Sequence, residues 1–376
     1  MIRSWSYNEE YKDLRIQILK SIDKSIKSGQ IFFGNELKKF EKNFLKKNNL
    51  KYGVAVGSGT DALYLSLLSF GIGYGDEVIT VSNTAIPTVS AIISAGARAK
   101  FVDVNNNYLM DPEKIEKQIS KKTKAIIPVH LYGQSCDMDK INKIAKKHKL
   151  KVIEDCAQAQ GAKFKGKNVG SLGDVGCFSF YPTKILGTYG DGGFVSTNSK
   201  DLCRKIAKIR FYGIEQNDKK NKFYKKYYSN IHGINSRISE IQAAILNLKL
   251  PKVDAWIKKR RNLADLYLKE LKYTSLKLPY ENKINNCKHV YHLFAVYHPK
   301  RDFIIKKLKE HKIHVNSNYP FPIHKMNAYT KVVLNKHLPI SEKFAKGIFS
   351  LPLYPKFKIS NLLYVTKTLK KILKKI

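Results

Sequence analysis

Three short segments hold residues whose types and spacing could do chemistry. In the first, Gly57-Ser58-Gly59-Thr60-Asp61-Ala62-Leu63, small residues lead straight into an apolar-periodic helix. Unpaired backbone N–H groups at such a helix start favour an anion, and Ser58 and Thr60 add hydroxyl donors. The segment is neither a Walker loop nor a GxGxxG, so it specifies no nucleotide, and both a phosphate cup and a plain helix cap stay open for it. In the second, Ile153-Glu154-Asp155-Cys156-Ala157-Gln158, two carboxylates close a β-like run, at the edge where open α/β sheets place function. A buried Asp there needs a cation or hydrogen-bond donors. A structural Asp that caps the next turn fits the same pattern. In the third, Phe178-Ser179-Phe180-Tyr181-Pro182-Thr183-Lys184 is followed by Gly187, Gly190, Asp191, Gly192 and Gly193. Most of the 69 basic residues must be surface charges. Lys184 stands apart because Ser179, Tyr181 and the glycines surround it, and glycine lets backbone approach a ligand closely.

Together these are the parts that pyridoxal 5′-phosphate needs. A helix start holds the phosphate, a strand-end carboxylate keeps the pyridine nitrogen protonated, and a lysine forms the Schiff base.

The elements that must position these residues are legible as alternation. Short β-like runs EVITV (77–81), AKFVDV (99–104), KAIIPV (124–129), KVIED (151–155), GCFSF (176–180) and GFVST (193–197) alternate with the helical stretches ALYLSLLSFG, VSAIISAGA, PEKIEKQIS and DKINKIAKKHK. Asp111-Pro112-Glu113 reads as a helix cap with proline at the first helical position. The pattern predicts an α/β fold with a mostly parallel, helix-covered sheet. Residues 236–250 and the run KVDAWIKKRRNLADLYLKELK read as two long helices, followed by a strand (YHLFAVYH) and a helix (RDFIIKKLKEH). The expected division is a large domain over 1–250, with an N-terminal helical segment, and a smaller C-terminal α/β domain over 251–376. The terminal KTLKKILKKI reads as an amphipathic helix docked through Leu369, Ile372 and Leu373.

With 376 residues and 43% hydrophobic side chains, the chain is too apolar for disorder as its main state. Its five cysteines are scattered without CxxC spacing and read as reduced thiols, and no metal site is expected. The start MIRSWSYNEEYKD lacks the apolar core of a secretory signal and no long apolar run exists, so a cytoplasmic protein without a membrane span is expected. The net charge of +39 suits nucleic acid, anionic surfaces or anionic small molecules. Lysine is spread along the whole chain, which favours a compositional bias over a dedicated nucleic-acid surface. His130 reads as a satisfied core or turn histidine, and Trp5 and Trp256 as packing residues.

The chain resembles the sugar-nucleotide aminotransferases of the DegT–DnrJ–StrS group, which have the aspartate-aminotransferase type I fold. The resemblance is carried by GSGTDAL (57–63), PVHLYGQ (128–134), EDCAQAQGA (154–162), VGSLGDVGCFSFYPTK (169–184), GDGG (190–193), GINSRISEIQAAIL (233–246) and YPFPIH (319–324). SNTAIPTVSAI (82–92) and FYPTKILGTYGDGG (180–193) most resemble the members that aminate C3 of dTDP-3-keto-6-deoxyhexoses. The resemblance implies pyridoxal phosphate linked to Lys184, which also shuttles the proton. It implies Asp155 on the pyridine nitrogen, Gln158 on the ring's phenolic oxygen, and Gly59, Thr60 and Ser179 on the phosphate. Asn235 would reach the phosphate of the other subunit's cofactor, in a homodimer with shared sites. Tyr181, Tyr319 and His324 are substrate candidates. The implied reaction moves an amino group from an amino acid, glutamate, to a dTDP-linked keto sugar. The product would be a dTDP-3-amino-3,6-dideoxyhexose for surface-glycan synthesis. The alternatives are a 4-keto sugar nucleotide or an aminocyclitol ketone as substrate and, in another class, a basic protein that binds nucleic acid or an anionic surface.

Three positions depart from the group. Ala85 stands where many members stack an aromatic residue on the cofactor, which leaves Ile86 as the candidate to cover the ring. Gln160 stands where many have histidine, and an amide cannot titrate near neutrality. Asn318-Tyr319-Pro320 replaces HYP.

Overall fold

The computed structural model describes residues 1–215, 228–281, 286–335 and 337–376. Among the described residues, β1 (Tyr52–Val56), β2 (Glu77–Val81), β3 (Arg98–Val102), β4 (Thr123–Ile126), β5 (Lys151–Asp155), β8 (Val175–Ser179) and β9 (Gly193–Thr197) form one sheet in the order β1-β9-β8-β5-β4-β2-β3. A short hairpin, β6 (Lys163–Phe164) and β7 (Lys167–Asn168), lies outside it. The pairs from β3 through β8 are parallel, and β9 runs antiparallel to both β8 and β1. Every residue of β2, β8 and β9 is buried, as expected of strands covered on both faces.

Because β9 is reversed, the C-terminal ends of β1, β2, β4, β5 and β8 and the N-terminal end of β9 share one edge. On one face of the sheet pack α3 (Gly59–Ser69), α4 (Ile86–Ser94) and α6 (Lys200–Ile209). Helix α5 (Met138–Lys147) carries Met138, Ile141 and Ala145 inward beside Val152. Helices α1 (Asn8–Lys27) and α2 (Asn35–Asn48) pack on α7 (Glu240–Lys249). The core beneath α2 is aromatic: Phe40, Phe44, Phe178, Phe180 and Phe194 meet largely edge to face.

Helix α8 (Val253–Leu271) runs between two cores. Val253, Trp256 and Ile257 pack with α2 and α7, whereas Leu263, Tyr267 and Leu271 pack on the C-terminal pair β10 (Phe294–Tyr297) and β11 (Ile348–Leu351). Helices α9 (Arg301–Glu310), α10 (Pro339–Gly347) and α11 (Ile359–Leu373) complete that part, with Leu369 and Ile372 of α11 buried as expected. No described helix is long and apolar enough to cross a membrane.

Two expectations change. PEKIEKQIS is not a helix but two 3-10 turns, Pro112–Lys114 and Glu116–Gln118. The segment is short and must drop Ile115 into the core, then deliver the Ser120 hydroxyl to Glu77 at 2.6 Å where β4 begins. The Asp111 cap itself holds, its side chain accepting from the Glu113 N–H. The helix expected over 236–250 starts at Glu240, because Ser239 caps it and Ser236 is drawn off to Asp61 at 2.8 Å.

Helix α2 has no side-chain cap of its own. The buried Glu240 carboxylate of α7 supplies one, accepting from the N–H groups of Gly34 (2.8 Å), Glu36 (2.8 Å) and Leu37 (3.2 Å). Glu240→Ala leaves these donors without their anion. It should cost about 2–4 kcal/mol in urea denaturation, since hydrogen bonds to charged groups are worth about 1.5–3 kcal/mol each and are not additive. An unchanged midpoint would show that the cap carries no stability.

Candidate active site

The shared edge of the sheet opens into a cavity of about 310 Å³, lined among others by Ser58, Gly59, Thr60, Asp155, Gln158 and Ser179 with Tyr181 and Lys184. All three segments singled out in the sequence therefore meet at one place.

At one wall, Ser58 caps α3, its hydroxyl accepting from the Asp61 N–H at 3.0 Å. The open alternatives for this segment merge: the loop is a helix cap, and it also turns the start of α3 toward the cavity. The approach is tight. A Cβ on Gly59 would stand 2.6 Å from Ser179 Cβ, and one on Gly193 would stand 2.2 Å from the Ser58 carbonyl. Only glycine lets the start of α3 seat against β8 and β9, which leaves a cradle of backbone N–H groups and hydroxyls sized for an anion.

Asp155 ends β5 and is buried. Its Oδ2 accepts from the Thr88 hydroxyl at 2.8 Å and its Oδ1 from the Ala157 N–H at 3.1 Å. Burial pushes its carboxyl up, while Thr88, Ala157 and the Lys184 ammonium pull it down. Lys184 is half-buried, and burial lowers its pKa against the opposing pull of Asp155. A low-dielectric wall thus carries a carboxylate short of cations and an amine inclined to be neutral, and a neutral amine is the nucleophilic form.

The chain on both sides of Lys184 is held. Gln160 donates from Nε2 to the Ser179 carbonyl at 2.6 Å and accepts at Oε1 from the Leu186 N–H at 2.7 Å. Gln160, an amide where many members of the group have histidine, is thus a clamp across the lysine loop. Behind Asp155, on the other face of β5, Glu154 accepts from the N–H groups of Gly170 (2.9 Å), Leu172 (2.8 Å) and Gly173 (2.8 Å). Glu154 also meets His130 Nε2 at 2.9 Å. His130 Nδ1 accepts from the Cys136 N–H at 3.1 Å, which leaves Nε2 to donate to Glu154. His130, Glu154 and Cys156 lie close enough to hold a metal, but His130 and Glu154 are already engaged and burial holds the Cys156 thiol protonated. His130 is the satisfied core histidine that the sequence suggested.

Other expected residues are placed as follows. Gln158 accepts from the Tyr132 N–H at 2.9 Å and donates to the Tyr319 hydroxyl at 2.9 Å, which leaves one amide proton for a ligand. Tyr319 is pushed up to about 12 by burial. Tyr181 is half-exposed in the cavity wall. Asn235 is exposed and accepts from Arg237 Nε at 2.8 Å, and it does not line the cavity of its own chain. His324 stands apart: Nδ1 meets the Ser82 hydroxyl at 2.7 Å and Nε2 meets Glu342 at 3.1 Å. With both nitrogens engaged, it braces the 319–324 segment and lines neither this cavity nor the smaller one on the other side of Lys184. For Ile86 the expectation changes. It is exposed outside the cavity, and Ala85, Pro87 and Thr88 form that wall. Asp191, from the third segment, lines the cavity, and Thr84 and Thr88 are lining residues the sequence reading did not single out. The signal was there, since they flank a strand end and a proline-marked helix start on the functional edge.

The donor set fits pyridoxal phosphate: an anion cradle, an amine whose pKa burial lowers, and a buried carboxylate pushed up by burial.

Comparison with known proteins agrees. A model of the DegT/DnrJ/EryC1/StrS aminotransferase family matches residues 12–370. The chain is 43% identical over 358 residues to the dTDP-3-amino-3,4,6-trideoxy-alpha-D-glucose transaminase of Micromonospora megalomicea subsp. nigra, covering 93% of each. It is 43% identical over 340 residues to the dTDP-3-amino-3,6-dideoxy-alpha-D-galactopyranose transaminase of Aneurinibacillus thermoaerophilus, covering 90% of each. The crystal structure of S. venezuelae DesV in complex with a ketimine intermediate superposes with a TM-score of 0.93 at 35% identity, covering 99% of this chain and 98% of that one.

The lowered Lys184 pKa has a direct readout. Brief reductive alkylation of the cofactor-free protein with acetaldehyde and borohydride, followed by peptide mapping, should mark Lys184 ahead of other lysines near neutral pH. Labelling should rise with pH through a midpoint below the ordinary lysine value of about 10.4. A midpoint at or above that value would overturn the electrostatic account.

Proposed function

The chain belongs to the DegT/DnrJ/EryC1/StrS aminotransferase family, and from that premise we propose that it moves an amino group from glutamate to C3 of a dTDP-linked 3-keto-6-deoxyhexose, giving a dTDP-3-amino-3,6-dideoxyhexose for surface-glycan synthesis. The observation that carries the reading is the meeting of Lys184, Asp155 and the start of α3 in one cavity. The names of the two transaminase relatives support the C3 position and the dTDP carrier.

The cofactor of the family is pyridoxal 5′-phosphate. When bound, it supplies an aldehyde carbon that accepts nitrogen and a ring that takes up electrons. Gly59, Thr60 and Ser179 hold its phosphate at the start of α3, where the helix dipole favours the charge. Asp155, oriented by Thr88 and Ala157, holds a proton on the ring nitrogen. Gln158 offers its remaining amide proton to the ring hydroxyl. Lys184 would hold the cofactor covalently through its Nζ, and the same amine would hold and move the proton at the substrate carbon. Tyr181, in the wall of the larger cavity, faces the sugar, and Tyr319 reaches that site through its hydroxyl, which accepts from Gln158. Asn235 serves the phosphate in the partner subunit of a homodimer, which matches its exposure outside its own cavity.

Lys184→Ala should keep cofactor non-covalently and lose transfer. Asp155→Asn should keep the shape and lose about 100-fold or more in kcat, the scale for removing one preorganised electrostatic group. Positional preference is read by incubating the enzyme with dTDP-3-amino and dTDP-4-amino isomers and 2-oxoglutarate. Glutamate should form faster from the C3 isomer, and the opposite order would overturn C3 while leaving amino transfer intact.

A further inference from the structure

A second cavity, of about 130 Å³, lies against Lys184, bordered by Thr183, His292, Asn318, Tyr319 and Ser350 with the N-terminal Ser4 and Trp5. Lys184 is the one residue that lines both this cavity and the larger one. Three buried polar atoms on its walls have no partner: His292 Nδ1, Asn318 Oδ1 and Ser350 Oγ. His292 is 6% exposed and Ser350 3%. Orphaned buried polar atoms are rare, and three around one cavity call for a ligand or water that pairs them.

We propose that this cavity is the α-carboxylate half of the amino-donor site, taking an α-amino acid such as L-glutamate. The inference rests on the reading of Lys184 as the amine at which transfer occurs.

The chemistry of the walls matches. Burial, then the charges of Lys184 and Arg260, hold the His292 ring neutral, so it can present one N–H at Nδ1. The Ser350 hydroxyl is a second donor, and Asn318 Oδ1 is an acceptor. Two donors and one acceptor mirror a zwitterion, whose carboxylate accepts and whose ammonium donates. In an α-amino acid the carboxylate carbon is two bonds from the nitrogen. A donor whose nitrogen reaches the place of Lys184 Nζ must therefore set its carboxylate in a polar pocket bordering that lysine. The larger cavity offers its anion cradle to a phosphate, and the smaller one is the remaining polar wall of Lys184. Beneath it lies a buried positive charge. Arg260 donates to the carbonyls of Tyr291 (3.2 Å), His292 (3.2 Å) and Leu353 (3.0 Å), two of which belong to residues that line the cavity. These bonds go to carbonyls, so apart from the charge of Glu10 the guanidinium adds to a positive potential that favours an anion at the cavity. A keto sugar carries no carboxylate next to its reacting carbon and does not need this pocket.

The test uses cofactor-loaded enzyme and reads the two half-reactions separately in single turnover, one with L-glutamate and one with the dTDP-3-amino sugar. Succinate, a non-reacting dicarboxylate, is titrated by calorimetry as a readout independent of turnover. Ser350→Ala should weaken succinate binding and the glutamate half-reaction by about tenfold, the loss of one hydrogen bond to a charged group. The amino-sugar half-reaction and the melting temperature should be unchanged, and Ser350→Thr should restore most of the loss. An equal fall in the amino-sugar half-reaction, or no change in either, would overturn the assignment while amino transfer by the wild type still stands. A wild-type protein that takes nitrogen from neither compound overturns the amino-transfer reading, and this inference with it.

Discussion

A lysine amine lodged in a low-dielectric wall beside a buried carboxylate is the constraint on which the architecture depends. Neither group is at ease. Burial disfavours the charge on both, and their mutual attraction offsets only part of that cost. Such a pair keeps its geometry only if the backbone bearing each member cannot drift. The structure meets this by fixing the chain on either side of the two residues. Gln160 ties Ser179 to Leu186 across the lysine loop, and Glu154 gathers the 170–173 turn under the strand that ends in Asp155. Thr88, in the first turn of α4, donates its hydroxyl to the carboxylate.

The same constraint explains the reversed strand. If β9 continued the parallel order, its N-terminal end would lie at the far edge of the sheet, and the glycine run 190–193 could not close over the start of α3. Running antiparallel between β1 and β8, it brings Gly193 against Ser58 and carries Asp191 to the cavity. The lysine loop is therefore a tight connection between two adjacent strands, which is why it can be clamped by single side chains.

How much of this was legible in the sequence follows from what kind of force positions each residue. Strands β2, β5 and β9 match the apolar runs residue for residue, and the bounds of β3, β4 and β8 shift by one to three residues, because continuous apolar runs report burial on both faces. Strand β1 was missed: Tyr52 and Gly53 break its apolar run, and only its last three residues are buried. The lysine, the aspartate and the helix start were readable because their local settings are unusual. Thr88, Glu240 and Lys249 were not, since their partners stand 67, 206 and 62 residues away in sequence. His324 shows a different limit. A polar residue in a site-like segment proved to be engaged by Ser82 and Glu342, and no local pattern distinguishes a free histidine from a braced one.

Lys249 shows how far the bracing reaches. It is almost fully buried on α7, donates to the Gly187 carbonyl in the lysine loop at 2.8 Å, and pairs with Glu10 of α1 at 2.6 Å. Its ammonium also lies 3.9 Å from the centre of the Tyr189 ring, two residues further along that loop. Burial lowers its pKa and Glu10 opposes the shift, so the charge is maintained by an acid that only the N-terminal helix brings. A buried ammonium without its anion would give up its proton or draw in water, and either outcome releases the grip on Gly187. The N-terminal helix, which contributes no residue to the larger cavity, is thereby part of what holds Lys184 in place.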